Sequence, residues 1–326
     1  MKRVLIVVLV IIAATAMAVA QAAPAPQKPT APGAPTQAAP GQPAAPPAVA
    51  GQAAPAAGQV PAPPPLPAAG RPQPQAQTPE EYQAFQAAIV KTTPADMEAA
   101  ANAFATQFPK SELRSLLYLR AMREYQNANH AEKTIEMGRK ALAVDANNPE
   151  ALVTVATVLS ERTRETDLDR EERLAEATRD AQKALQTVNT DLIVPPNAPP
   201  DRVEAAKNSI RAMAYAALGT VEMTKKNFPA AEANLKQAVQ LPMPQPDPVA
   251  WLRLSVVLDQ QKKYQEALDA ANKAVQHSAD MPQANNLARM ERARLQKLLG
   301  TAPVPASTPA ATTPPTPATP AAPPPK

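Results

Sequence analysis

Residues 248–280 read PVAWLRLSVVLDQQKKYQEALDAANKAVQHSAD, and the fold turns on this stretch. Counting Pro248 as position 1, Trp251 stands at 4, Leu254 at 7, Ser255 at 8 and Leu258 at 11. Tyr264 follows at 17, Ala267 at 20, Ala271 at 24 and Ala274 at 27. The pattern is that of two helices folded back on each other. Positions 8, 20 and 27 fall where the helices of a hairpin, and successive hairpins, come closest. Only Gly, Ala or Ser fits there. Larger residues fill the gaps between, and the face each hairpin leaves uncovered is buried by the next one.

The same spacing recurs upstream. A unit starting near Ala212 carries Tyr215, Leu218, Gly219, Phe228, Ala231 and Ala238. A unit from Ser115 carries Tyr118, Tyr125, Gly138 and Ala141. The next begins at Pro149, with Leu152, Ala156, Leu159, Ala177, Ala181 and Ala184, and holds nine extra residues inside its hairpin. A degenerate first unit covers 78–111 and ends in Phe108-Pro109-Lys110-Ser111. The helix starts agree with this phasing. Thr78-Pro79-Glu80-Glu81 reads as a capping box with proline at the first helical position. Asn148-Pro149 and Asp247-Pro248 repeat the cap-plus-proline logic. Asp201 with Glu204 reads as another box. Residues 282–299 read as one closing helix, with Arg289, Arg292, Arg294 and Lys297 on a polar face.

These residues resemble the tetratricopeptide repeat, whose pattern runs Trp, Leu, Gly, Tyr, then Ala, Phe, Ala, Pro. The resemblance implies an all-α, right-handed superhelical solenoid of helix–turn–helix repeats. The expected units are 78–111, 115–148, 149–191, 212–245 and 248–281, closed by a capping helix over 282–299. It also implies a protein that binds other proteins.

Composition sets the flanks apart. The chain has 326 residues, 41 of them proline, about 2.5 times the ordinary share of ~5%. Residues 21–77 and 300–326 are almost entirely Pro, Ala, Gln, Thr and Gly. With so little apolar surface to bury, both arms are expected to be disordered with polyproline bias. Pro63–Pro65 is a candidate docking run, and the Ser/Thr-Pro tail a candidate site for O-linked sugar. Ahead of the first arm, Lys2 and Arg3 precede the apolar run VLIVVLVII and three A-x-A frames. This is the pattern of a secretory signal over 1–20, cleaved after Ala20 or Ala22. The alternative is an uncleaved leader anchoring the chain in the inner membrane. Either way the body is expected outside the cytoplasm, in the periplasm or at the cell surface.

The pI of 9.2 suggests nucleic acid, but its origin argues against that. All 29 acidic residues lie within residues 80–300, with 28 of the 33 basic ones, a net charge of −1. Such a body lacks the electrostatic footprint of a phosphate binder. No cysteine is present, which excludes disulfides, thiol catalysis and thiolate metal sites. The two histidines, His130 and His277, read as helix-end residues. No nucleophile, base or phosphate cradle is legible, so no enzyme activity and no cofactor are expected.

Two irregularities break the period. Residues 164–172 (RETDLDREE) read as a solvated, lengthened helix turn. Asp167, Asp169 and Glu171 alternate as in a calcium loop, without the turn glycine it needs. Residues 190–200 (TDLIVPPNAPP) form a proline-rich connector in which Ile193 and Val194 are expected to tuck against the solenoid.

In the family, ligands usually lie along the concave surface made by the first helices. The corresponding positions are Leu119, Arg123, Val153, Thr157, Ala216, Thr220, Leu252 and Val256. They are mostly small or apolar and lack a carboxylate clamp, so a peptide or amphipathic helix held by apolar contact is the expected partner. The expected function is an exported scaffold for protein–protein interaction. The alternative is a surface spacer whose arms cross a cell-wall layer.

Overall fold

The computed structural model describes residues 70–195 and 197–300. The leader, the first arm as far as residue 69 and the C-terminal tail lie outside the described residues, and so do the readings made on Pro63–Pro65 and on the tail.

Helices follow one another along the described chain: α1 (Pro79–Ile89), α2 (Pro94–Gln107), α3 (Leu113–Asn127), α4 (Ala131–Val144), α5 (Pro149–Arg162) and α6 (Arg170–Thr187). After a connector come α7 (Pro200–Thr224), α8 (Phe228–Gln240), α9 (Pro248–Gln260), α10 (Tyr264–His277) and α11 (Pro282–Leu299). Each helix packs on its neighbour in sequence, and α5 also packs on α7 and α9 on α11. The body is an all-α solenoid of helix–turn–helix units.

Local chemistry starts these helices. The Thr78, Thr93, Asn148 and Asp247 side chains accept backbone N–H groups of the first turn, at 2.8–3.2 Å, each just ahead of a proline. The Thr93 cap is a start signal that the sequence reading passed over.

Three hairpins turn in the same way. The His130 N–H donates to Tyr125 O at 2.9 Å, Asn227 to Glu222 at 2.9 Å and Lys263 to Leu258 at 3.0 Å. The residue before each donor is left-handed: Asn129 at φ 59°, Lys226 at 61° and Lys262 at 64°. This is a Schellman closure, normally built on glycine. Asparagine tolerates that conformation, whereas lysine is strained by about 1–2 kcal/mol.

The facing helices touch where side chains are smallest. Gly219 on α7 and Ser255 on α9 occupy equivalent places. The Ser255 hydroxyl donates to Ala267 O on α10 at 2.8 Å. A Cβ on Gly219 would stand 3.4 Å from Ala231 O and only 2.6 Å from Leu235 Cγ on α8. Ala231, Ala238, Ala267 and Ala274 are all buried. The first hairpin is held differently, by Phe85, Phe104 and Phe108, with ring centroids 6.3 and 5.0 Å apart.

Glu232 links two units. It sits on α8 and accepts Lys236 Nζ at 2.6 Å, and Lys263 Nζ and Gln261 Nε2 at 2.7 Å, the last two from the α9–α10 turn. Burial opposes its charge, but the two ammonium groups and the amide outweigh that and pull its pKa down to about 2.

Five features differ from the sequence reading. The arm was expected to run to residue 77, yet 70–77 lie on the body. Arg71–Pro72 forms a strand, β1, paired in parallel with β2 (Ile193–Val194), so the connector's apolar pair tucks by backbone pairing. Counting Arg71, the body holds 29 basic residues against 29 acidic ones. The unit placed near Ala212 starts in mid-helix, because nothing between Asp201 and Thr224 interrupts α7. The Asp201–Glu204 box does not form. α7 is preceded by Pro199 without a side-chain cap, and Glu204 pairs with Arg211 at 2.8 Å. The insertion is a loop, 163–169, rather than a lengthened helix turn. Thr163 is extended at ψ 122°, and Asp167 Oδ2 accepts the Arg164 N–H at 2.8 Å. Finally, α11 exposes Met290 and Leu298 beside its basic residues.

Lys262→Gly should relieve the left-handed strain and raise stability by about 1 kcal/mol, seen as a higher urea midpoint at unchanged slope. Gly219→Val should do the reverse, losing about 1–3 kcal/mol by overpacking against Leu235. Glu232 has a lowered folded pKa, so its stabilisation is full above the ordinary carboxylate value of 4.5 and disappears as the pH falls towards 2. The midpoint gap between the native chain and Glu232→Gln should therefore close across that acid window. A gap independent of pH would exclude an ionic role.

Candidate interaction face

The eight positions expected to meet a partner sit on α3, α5, α7 and α9, but they do not share one environment. Leu119, Val153 and Ala216 are 3%, 1% and 8% exposed, and Leu119 and Val153 belong to the packed core. Their side chains offer almost no surface. Arg123 is exposed, while Thr157, Thr220, Leu252 and Val256 are half-buried. The structure thus divides the set by position. The residue four further along each first helix keeps some surface, and of the earlier residues only Leu252 does.

Ion pairs that the repeat pattern did not signal connect these helices. Arg123 on α3 grips Glu150 at the start of α5 through both carboxylate oxygens, with Nη2 at 2.5 Å from Oε2. Partial desolvation of the guanidinium opposes the Arg123 charge, but the Glu150 carboxylate outweighs it and holds its pKa above the usual arginine value. Arg253 on α9 reaches past α7 to Glu161 on α5, at 2.6 Å. Those two side chains are only 16% and 13% exposed. Arg123 was picked for its place in the repeat. Its complement Glu150, and the Arg253–Glu161 pair, were missed because a period compares equivalent positions and never asks about opposite charges across units.

The hydroxyls behave unequally. Thr220 Oγ1 donates to Ala216 O at 2.8 Å, inside its own helix. Thr157 Oγ1 is buried and has no hydrogen-bond partner among the described residues. A buried hydroxyl in that state costs about 1–3 kcal/mol relative to a paired one.

A second concavity lies between the α3–α4 turn and the insertion loop. It encloses about 690 Å³, and its lining includes His130, Arg162, Arg164, Leu168 and Arg173. The carboxylates that alternate in sequence there do not converge. Asp167 binds a backbone N–H, Asp169 accepts Arg173 Nε at 2.6 Å, and Glu171 pairs with Arg170. Among the described residues no group of three or more His, Asp or Glu is placed to hold a metal ion. Asp180, on α6, is the carboxyl pushed upward, to about 6, by burial and then by the neighbouring Glu176 charge. Glu176 is itself taken by Arg139 at 2.6 Å. Among the described residues no helix is long and apolar enough to cross a membrane.

No family model and no curated protein sequence matches the chain. Among solved structures, it is similar to a thermophilic TPR protein of Thermus thermophilus, at 16% identity and a TM-score of 0.39, covering 65% of this chain and 98% of that one. The fold assignment rests on the hairpins themselves: repeated left-handed turns, small residues at the helix contacts, and first helices that pack on one another.

Proposed function

We propose that the chain is an exported, non-catalytic scaffold of tetratricopeptide type that holds a protein or peptide partner in the periplasm or cell envelope. The observation that carries this reading is the continuity of the first helices. α5 packs on α7 and α7 on α9, so Thr157, Thr220, Leu252 and Val256 follow one another from unit to unit, and the Arg123–Glu150 pair ties α3 to the start of α5. The strip is apolar at the α9 end and polar towards α3. Along it the arginines are committed to glutamates, so a free carboxylate finds no ready clamp. An extended or helical peptide with an apolar anchor at Leu252 and Val256 suits it best.

Photo-crosslinking groups placed at Thr220, Leu252 and Val256 of the native exported protein, with Lys273 on α10 as the control, test the reading. The three sites should capture one common partner that Lys273 does not. Mass spectrometry of the same sample should give a mature N-terminus just after Ala20 or Ala22. Capture from Lys273 alone would move the interaction to the opposite helices. An intact leader would replace release by anchoring.

A further inference from the structure

The contact that binds residues 70–72 to the body has the makings of a recognition site. Every residue of this short segment is selected by a different feature. Gly70 adopts φ +115°, open to glycine and closed to most side chains, and a Cβ there would collide with Leu192 O and with Val194 Cγ2. The Arg71 N–H donates to Leu192 O at 2.7 Å, and Arg71 pairs in register with Ile193. Its guanidinium reaches Asp145, whose side chain is only 10% exposed and also accepts Asn148 Nδ2 at 3.3 Å. Pro72 pairs with Val194 and, having no N–H, gives nothing further to the ladder.

Asp145 explains why the second residue must be a cation. It caps the C-terminus of α4, where unpaired carbonyls make negative charge unfavourable, and the last turn of α4 holds no basic residue. The guanidinium supplied by residue 71 answers both the carboxylate and the helix end. A two-residue ladder is marginal by itself. Its selectivity comes from the glycine fit at one end and the charge at the other.

We propose that Leu192, Ile193, Val194 and Asp145 form a binding site for an extended peptide carrying Gly-Arg-Pro, and that residues 70–72 occupy it in cis. The ligand class is a proline-containing segment in extended conformation, read by one backbone pair, one buried carboxylate and the absence of a Cβ. The chain's own copy is an internal competitor for any such segment from elsewhere. While it is bound, residues 70–72 lie against the connector between α6 and α7. This site is separate from the strip on α3, α5, α7 and α9.

The test uses the full chain and a fluorescent peptide with the sequence of residues 66–77. Gly70→Ala empties the site in cis while leaving Asp145 and the connector native. The peptide should bind the Gly70→Ala chain at least tenfold more tightly than the native chain, and Asp145→Asn in the same background should remove that binding. A peptide with alanine in place of its glycine should not bind. In parallel, hydrogen exchange on the native chain should find the Arg71 amide protected, and Asp145→Asn should release it. Equal binding to both chains, binding that survives Asp145→Asn, or no binding up to millimolar peptide would overturn the proposal. If the Arg71 amide were unprotected, the occupancy in cis would fall with it.

Discussion

The closeness of two helix backbones within a hairpin is the constraint from which the rest of this structure follows. Ser255 can donate to Ala267 O at 2.8 Å only because both helices carry small residues at the contact. At the equivalent contact, Gly219 leaves no room for a side chain against Leu235. The turn that joins such helices must reverse the chain quickly, and the left-handed residue does this even where it is lysine. The strain at Lys226 and Lys262 is small beside what burial of a hairpin returns, so the sequence tolerates a residue that local preference opposes.

The constraint acts on pairs of residues and not on single positions. In the unit starting at Ser115, the position that is Gly219 or Ser255 elsewhere is Met122, fully buried. The partner helix compensates with Gly138, where a Cβ would lie 3.2 Å from Met122 Sδ and would collide with Val155. Relative to Gly219 and Leu235, the large and the small side chain have exchanged helices. A reading that expects a small residue at one fixed place scores this unit as a weak match. Facing volumes explain why it forms the same hairpin.

That difference separates what the sequence reveals from what it hides. The last unit was legible because apolar spacing, the Asp247 cap and small residues all agree there, and the unit before it through spacing and small residues alone. The eight candidate positions could be placed on first helices from the sequence, but their burial could not, because it depends on how closely the next unit lies. Leu119 and Val153 vanish into the core while Leu252, at the same place in its repeat, keeps surface. The start of α7 was misjudged because the repeat supplies a phase and no reason to stop a helix early. The β1–β2 pair was invisible for a plainer reason. Its two segments are about 120 residues apart, and proline-rich composition argued against order in one of them.

A solenoid built only from neighbouring contacts would be a one-dimensional stack whose units respond almost independently. This chain adds ties that skip along the stack, and they gather around its middle. Arg253 crosses from α9 to Glu161 on α5. Arg71 crosses from the arm to Asp145. Glu165 in the insertion loop pairs with Lys226 at 2.8 Å, and Arg170, the first residue of α6, donates to Thr224 O at 3.0 Å. The insertion loop, through Glu165, and the connector, through the β1–β2 pair, are thus two of the places where distant units are stapled. Charge pairs are well suited to that task. They add little net stability unless well shielded, but leaving one member of a shielded pair alone is costly, so they enforce a relative placement more than they deepen the core. A body whose charges balance, and whose Arg123 and Arg253 already hold Glu150 and Glu161, offers shape and apolar surface on this strip before it offers free charge.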